Sequence, residues 1–137
     1  MEFNSQIAEF LVRIFLGILF FFQGYDKLFG IKMAAVIRAF QDDANRNHIP
    51  RPILVIISYY TSLVELVGGL LLLLGLYTNY SLYLLGSDLL LVCCAFTYMQ
   101  PMWNMKYVFP RFVLLIFLLM LPESSHHFSL DHFFMNK

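Results

Sequence analysis

Three ionisable side chains stand where an apolar sequence should have none. Arg13, Glu65 and Asp88 each lie inside a long hydrophobic run, Glu9 sits one helical turn before Arg13, and Arg111 falls near the start of a fourth run. An unpaired charge facing lipid at mid-membrane costs about 2.5–3.5 kcal/mol. Three together cost roughly 10 kcal/mol, comparable to the whole stability of a domain, about 5–15 kcal/mol. These groups are therefore expected to face protein and to meet one another or other polar groups. Two kinds of chemistry fit. One is a buried Arg13–Glu65 ion pair that fixes helix packing. The other is a polar cavity for a ligand headgroup, a proton or an anion, with Arg13, Ser62, Glu65 and Asp88 as its candidate lining. The hydroxyls of Ser58, Thr61 and Ser62, on the same face as Glu65, favour the cavity.

Other chemistries have little to stand on. Cys93 and Cys94 are adjacent, so they cannot share one helix face, and no C-x-x-C occurs; they read as small apolar fillers. No histidine falls inside an apolar run, which argues against haem held by paired histidines. His126, His127, Asp131 and His132 cluster near the C-terminus, but neighbouring histidines diverge on any regular element, and no metal site is assigned. Nucleotide-binding glycine loops, nucleophile elbows and zinc motifs are missing.

The elements that must position these charges are helices of membrane-spanning length. Of the 137 residues, 60% are hydrophobic and only 13% charged, about half the charge of an ordinary soluble domain. Apolar runs cover about Ile7 to Gly24, Ile53 to Leu76, Tyr80 to Met99 and Met105 to Leu121. About 20 helical residues cross the hydrocarbon. The first three runs meet that length, and the shorter fourth has Pro110 in its first turn, where proline is tolerated. The expected fold is all-α: one transmembrane domain of four helices, residues 1–137, with a C-terminal tail over residues 122–137. The loop over residues 28–52 holds Met33, Val36, Ile37 and Phe40 at helical spacing, which predicts a short interfacial helix. Tyr77-Thr78-Asn79 reads as a tight turn between antiparallel neighbours, and Gly75 as a packing residue within the second span.

Helical periodicity then sorts the faces. Glu9, Arg13, Gly17, Phe20, Gly24 and Lys27 share one stripe of the first span; Ser58, Thr61, Ser62, Glu65, Gly68 and Gly69 share a face of the second; Ser81, Asp88, Val92, Ala95 and Met99 align on the third. Gly17, Gly24, Gly68 and Gly69 are expected to let helices approach closely. The opposite faces of the first two spans are largely Leu, Ile, Val and Phe, as lipid contact requires.

Nine basic and nine acidic residues leave no net charge and no basic field to hold nucleic acid. Met1 to Gln6 lacks a basic n-region and no small-residue cleavage site follows the first run, so that run is expected to be retained as a span. Lys27, Lys32, Arg38, Arg46, Arg51 and Lys106 fall in the first and third loops, whereas the other side holds Lys137 alone. The positive-inside rule then places both termini outside.

Arg13-Ile-Phe-Leu-Gly17, continuing through Phe22-Gln-Gly24 to Lys27-Leu28, resembles the first helix of the DoxX family. Glu65-Leu-Val-Gly68-Gly69 with Leu74-Gly75-Leu76 resembles its second, and Ser129-Leu130-Asp131 is similar to the family's ending. Glycines common before that ending are replaced here by Glu123-Ser-Ser-His-His127. The resemblance implies a four-helix protein of the bacterial inner membrane. The family's named members are subunits of a thiosulfate:quinone oxidoreductase, so the resemblance also implies an accessory or quinone-facing subunit, with quinone as the cofactor and redox subunits as partners, rather than an enzyme in isolation. A scaffold or biogenesis factor, and a pathway for a small solute or proton, are the alternatives.

Overall fold

In the computed structural model, which describes residues 2–99, 106 and 108–121, the chain is a set of packed helices with no strand among the described residues. The order is α1 (Glu2–Tyr25), a π-helical turn (Asp26–Gly30), α2 (Met33–Arg46), α3 (Arg51–Leu74), α4 (Thr78–Met99) and α5 (Phe109–Met120). Three helical segments, Phe3–Gly30, Arg51–Leu74 and Thr78–Met99, are long and apolar enough to cross a membrane; Phe109–Met120 is a shorter apolar helix. The expected span boundaries shift by a few residues, and the C-terminal tail with its histidines lies outside the described residues.

The chain breaks where local chemistry dictates. After α1 the backbone widens into the π-helical turn, which Ile31 N–H closes on Asp26 O at 2.7 Å. Lys32 then takes a left-handed φ of 68° and turns the chain into α2. α2 is the amphipathic helix that the loop pattern predicts, and it buries Met33 and Ala44. Asn47 ends it: its side-chain amide donates to Asp43 O at 2.8 Å and to Met99 O at 3.1 Å, tying this loop to the far end of α4. Pro50 caps the start of α3, and Pro52 sits in its first turn, where a missing N–H costs nothing.

Gly75 is not the packing residue that the sequence suggests. It adopts φ 65° just past α3. Its N–H donates to Leu72 O at 3.1 Å while Leu76 N–H donates to Leu71 O at 3.0 Å, the paired bonds of a Schellman ending that glycine makes cheaply. The turn therefore covers residues 75–77, and Thr78, expected in the turn, already belongs to α4.

α1 runs antiparallel to α3 along most of its length, α3 pairs with α4, and α5 lies against α1 and α4. Leu16, Phe20, Val64, Leu72, Leu82, Leu85, Leu115 and Leu118 fill the interior. Leu11, Phe15, Ile18 and Phe22 on α1, and Ile56, Leu63, Val67 and Leu70 on α3, point outward. An apolar surface this continuous is what hydrocarbon solvates. The α1–α3 contact is closest at two glycines. A Cβ on Gly24 would stand 2.5 Å from Leu66 N and 2.7 Å from Ser62 O, and one on Gly69 would run into Phe21 N. These helices touch backbone to backbone. Gly17 faces both the side chain and the backbone nitrogen of Leu73, and Gly68 faces the side chain of Leu85.

Candidate functional site

The intramembrane charges form two separate groups. Arg13, 1% exposed, donates from Nε to Glu9 Oε1 at 3.0 Å, four residues back on its own helix. Its Nη1 donates to Leu72 O at 3.0 Å, and its guanidinium carbon lies 5.6 Å from the centre of the Phe10 ring. A cation at the last turn of α3 also meets the negative end of that helix. The expected Arg13–Glu65 pair is not formed. The reason is height rather than face: in the antiparallel contact Arg13 lies opposite Leu72, whereas Ser62 and Leu66 lie opposite Gly24, three turns and about 16 Å further along α1.

Glu65 has other partners. Its Oε2 accepts from Lys27 Nζ at 2.6 Å and its Oε1 from Gln23 Nε2 at 3.0 Å. The glutamate side chain is 3% exposed and the lysine 23%. Lys27 belongs to the π-helical turn, and such widened turns recur at functional sites.

Beside this pair is a cavity of about 510 Å³ at the end of the bundle that carries α2. Gln23, Lys27 and Glu65 form its polar wall with Ser58, Thr61, Ser62 and, from α5, Arg111. The rest is apolar, with Val36 and Phe40 from α2, Leu54 and Ile57 from α3, and Val92, Phe96 and Met99 from α4. Phe40 meets Phe96 at 5.5 Å between ring centres. The volume is that of an ordinary small-molecule pocket, about 300–1,000 Å³.

Of the four candidate lining residues, two are on this wall and two are not. Ser62 and Glu65 line the cavity. Arg13 lies with Glu9 in the N-terminal half of α1, away from the cavity. Asp88 is fully buried behind the wall, near enough to Glu65 and Lys27 to feel both charges. Neither of its carboxyl oxygens has a hydrogen-bond partner among the described residues. The three hydroxyls are less available than the sequence suggests. Ser58 donates to Leu54 O at 2.7 Å, Thr61 to Ser58 O at 3.2 Å and Ser62 to Ser58 O at 2.7 Å, all within α3. Their hydrogens are used, and only lone pairs remain for a ligand. Gln23 and Arg111 are wall residues that the sequence reading did not assign. Arg111 was visible as a charge beside an apolar run; Gln23 carried no signal, because one polar amide near a span end is unremarkable.

The DoxX family model matches residues 8–98. The chain belongs to the DoxX family. No curated protein and no solved structure matches it. This DoxX protein is an integral membrane protein, and its outward apolar faces contact the bilayer. The matched segment runs from α1 into the last turn of α4, so it contains the Lys27–Glu65 pair, while Arg111 on α5 lies beyond it.

Proposed function

We propose that this DoxX protein is a four-span subunit of the bacterial inner membrane that holds the polar head of a quinone-like molecule for a partner redox subunit. One observation carries the reading: a 510 Å³ cavity that is polar on one wall and apolar elsewhere, in a helix bundle with a lipid-facing surface. A lipid-soluble head with a short apolar extension needs that division. Lys27 and Arg111 supply donors for a carbonyl or hydroxyl oxygen, and Val92, Phe96 and Met99 supply the apolar contact. Cys93, half-buried, and Cys94, exposed, are neighbours on α4 and do not share a helix face as a redox pair would. The electron donor would thus belong to a partner, and the chain would act as a subunit rather than alone.

The test is quinone carried through purification in mild detergent, or added back. One site at about 100 times its dissociation constant stabilises by about 2.7 kcal/mol. Ala95, a half-buried lining residue on α4, gives the matched control: Ala95→Phe fills the space without touching the ion pairs. Retention and stabilisation in the parent, both lost in A95F, are expected. Neither effect in the parent would leave the scaffold reading in its place. That reading has its own support: Glu9–Arg13 and Lys27–Glu65 are both closed pairs, so the bundle does not need a ligand to neutralise them.

The proposed topology has α5 as the fourth span and both termini outside. Its basis is the excess of Lys and Arg in the two loops flanked by the α1–α3 and α4–α5 ends. A reporter fused after Lys137 is expected to be active only on the external side; activity on the cytoplasmic side would reverse the orientation or remove one span.

A further inference from the structure

The cavity also specifies the charge of what fits it. Among the described residues, Glu65 already receives one hydrogen bond on each oxygen, from Lys27 and from Gln23, and the hydrogens of Ser58, Thr61 and Ser62 are spent on backbone carbonyls. The charged donors left on the wall are cations, beside the second N–H of the Gln23 amide. Arg111 lines the cavity, half-buried, and no hydrogen bond or ion pair reaches its guanidinium from a described residue. The Lys27 ammonium uses one donor on Glu65. Asp88 is fully buried and does not line the cavity. A guanidinium holds its five donors in a flat fork that matches a pair of oxygens sharing a negative charge, and in a partly dry cavity such a pairing is stronger than with a neutral acceptor.

We infer that the cavity selects an amphiphile with a singly charged anionic head, a carboxylate, an acidic enol or a phosphate diester, whose oxygens engage Arg111 while its apolar part lies against Val92, Phe96 and Met99. Cationic heads are disfavoured, because Lys27 and Arg111 line the cavity with like charge and the carboxylate on its wall, Glu65, is already paired. The inference rests on reading the cavity as a ligand site. It does not require that the resident ligand be a quinone.

The experiment uses pairs of probes matched in shape. The first pair is a 2-hydroxy-3-alkyl-1,4-naphthoquinone, ionised at neutral pH, and its neutral methyl ether. The second is laurate and dodecanol. Binding is measured on the full-length protein in neutral detergent, for the parent, Arg111→Gln and Arg111→Lys. In the parent, the anion of each pair is expected to bind at least tenfold tighter than its neutral twin. Arg111→Gln should bring that ratio close to one, and Arg111→Lys should retain most of it. Addition of salt should narrow it in the parent. If the ether binds as tightly as the anion, or if the ratio survives Arg111→Gln, the charge inference is overturned while the quinone reading stands. If laurate but neither naphthoquinone binds, the charge inference stands and the quinone reading fails. If no probe binds to any variant, both are overturned.

Discussion

Arg13→Ala is expected to cost the folded protein on the order of 3–5 kcal/mol, the range for breaking one partner out of a buried ion pair. The side chain is almost wholly buried, its Nε holds Glu9, and its Nη1 holds the last turn of α3 through Leu72 O. Removing it strips the carboxylate of its cation and opens a void between α1 and α3. The double variant Glu9→Leu with Arg13→Met is expected to recover most of the loss, because two apolar side chains of similar size leave no buried charge behind. Leu72 O would still accept Gly75 N–H. Thermal melting in detergent checks both variants. An Arg13→Ala protein that melts with the parent would mean that solvent, not Glu9, satisfies the guanidinium.

Gly24→Ala should destabilise by about 1–3 kcal/mol, and Gly24→Val by more, through forced separation of two backbones. The added methyl would meet Leu66 N at 2.5 Å and Ser62 O at 2.7 Å, atoms of a helix backbone that cannot turn aside as a side chain does. Gly86→Ala is the internal control. Among the described residues its Cβ would meet only Leu115 Cδ2, at an ordinary 3.5 Å, and alanine is the better helix former, so no loss is expected there. Equal melting of the Gly24 and Gly86 variants would show that the α1–α3 contact is looser than described. A loss at Gly24 should also weaken ligand binding, since Ser62 lines the cavity from the helix that Gly24 supports.

Much of this arrangement was legible in the residues themselves. Hydropathy marked the three long helices because hydrocarbon tolerates only sequences of that kind, and the spacing of Met33, Val36, Ile37 and Phe40 marked α2. Periodicity put Arg13, Ser62, Glu65 and Asp88 on inward faces, where burial now places all four. What periodicity cannot supply is height. A stripe fixes the side of a helix that turns inward, but the offset between two antiparallel helices depends on where the close contacts at Gly24 and Gly69 settle. That offset decides that Glu65 meets Lys27 and not Arg13. The role of Gly75 was missed for a related reason: apolar residues on both sides hid a helix ending that depends on one backbone dihedral. Arg111 was noticed as a charge but not as part of the site, because its neighbours come from α3 and α1, distant in sequence.

The two ion pairs also differ in when they can exist during synthesis. Glu9 and Arg13 lie one turn apart on the same helix, so α1 can enter the bilayer with its charges already matched, as soon as it coils. Glu65 has no cation on α3 within helical reach; its partner Lys27 belongs to a segment made 38 residues earlier. The third helix therefore emerges from the ribosome carrying an acid that lipid disfavours, and it becomes neutral as a pair only by docking on a first helix that is already in place. Membrane assembly of this chain thus has a direction written into it: α1 is self-sufficient, and α3 is the client.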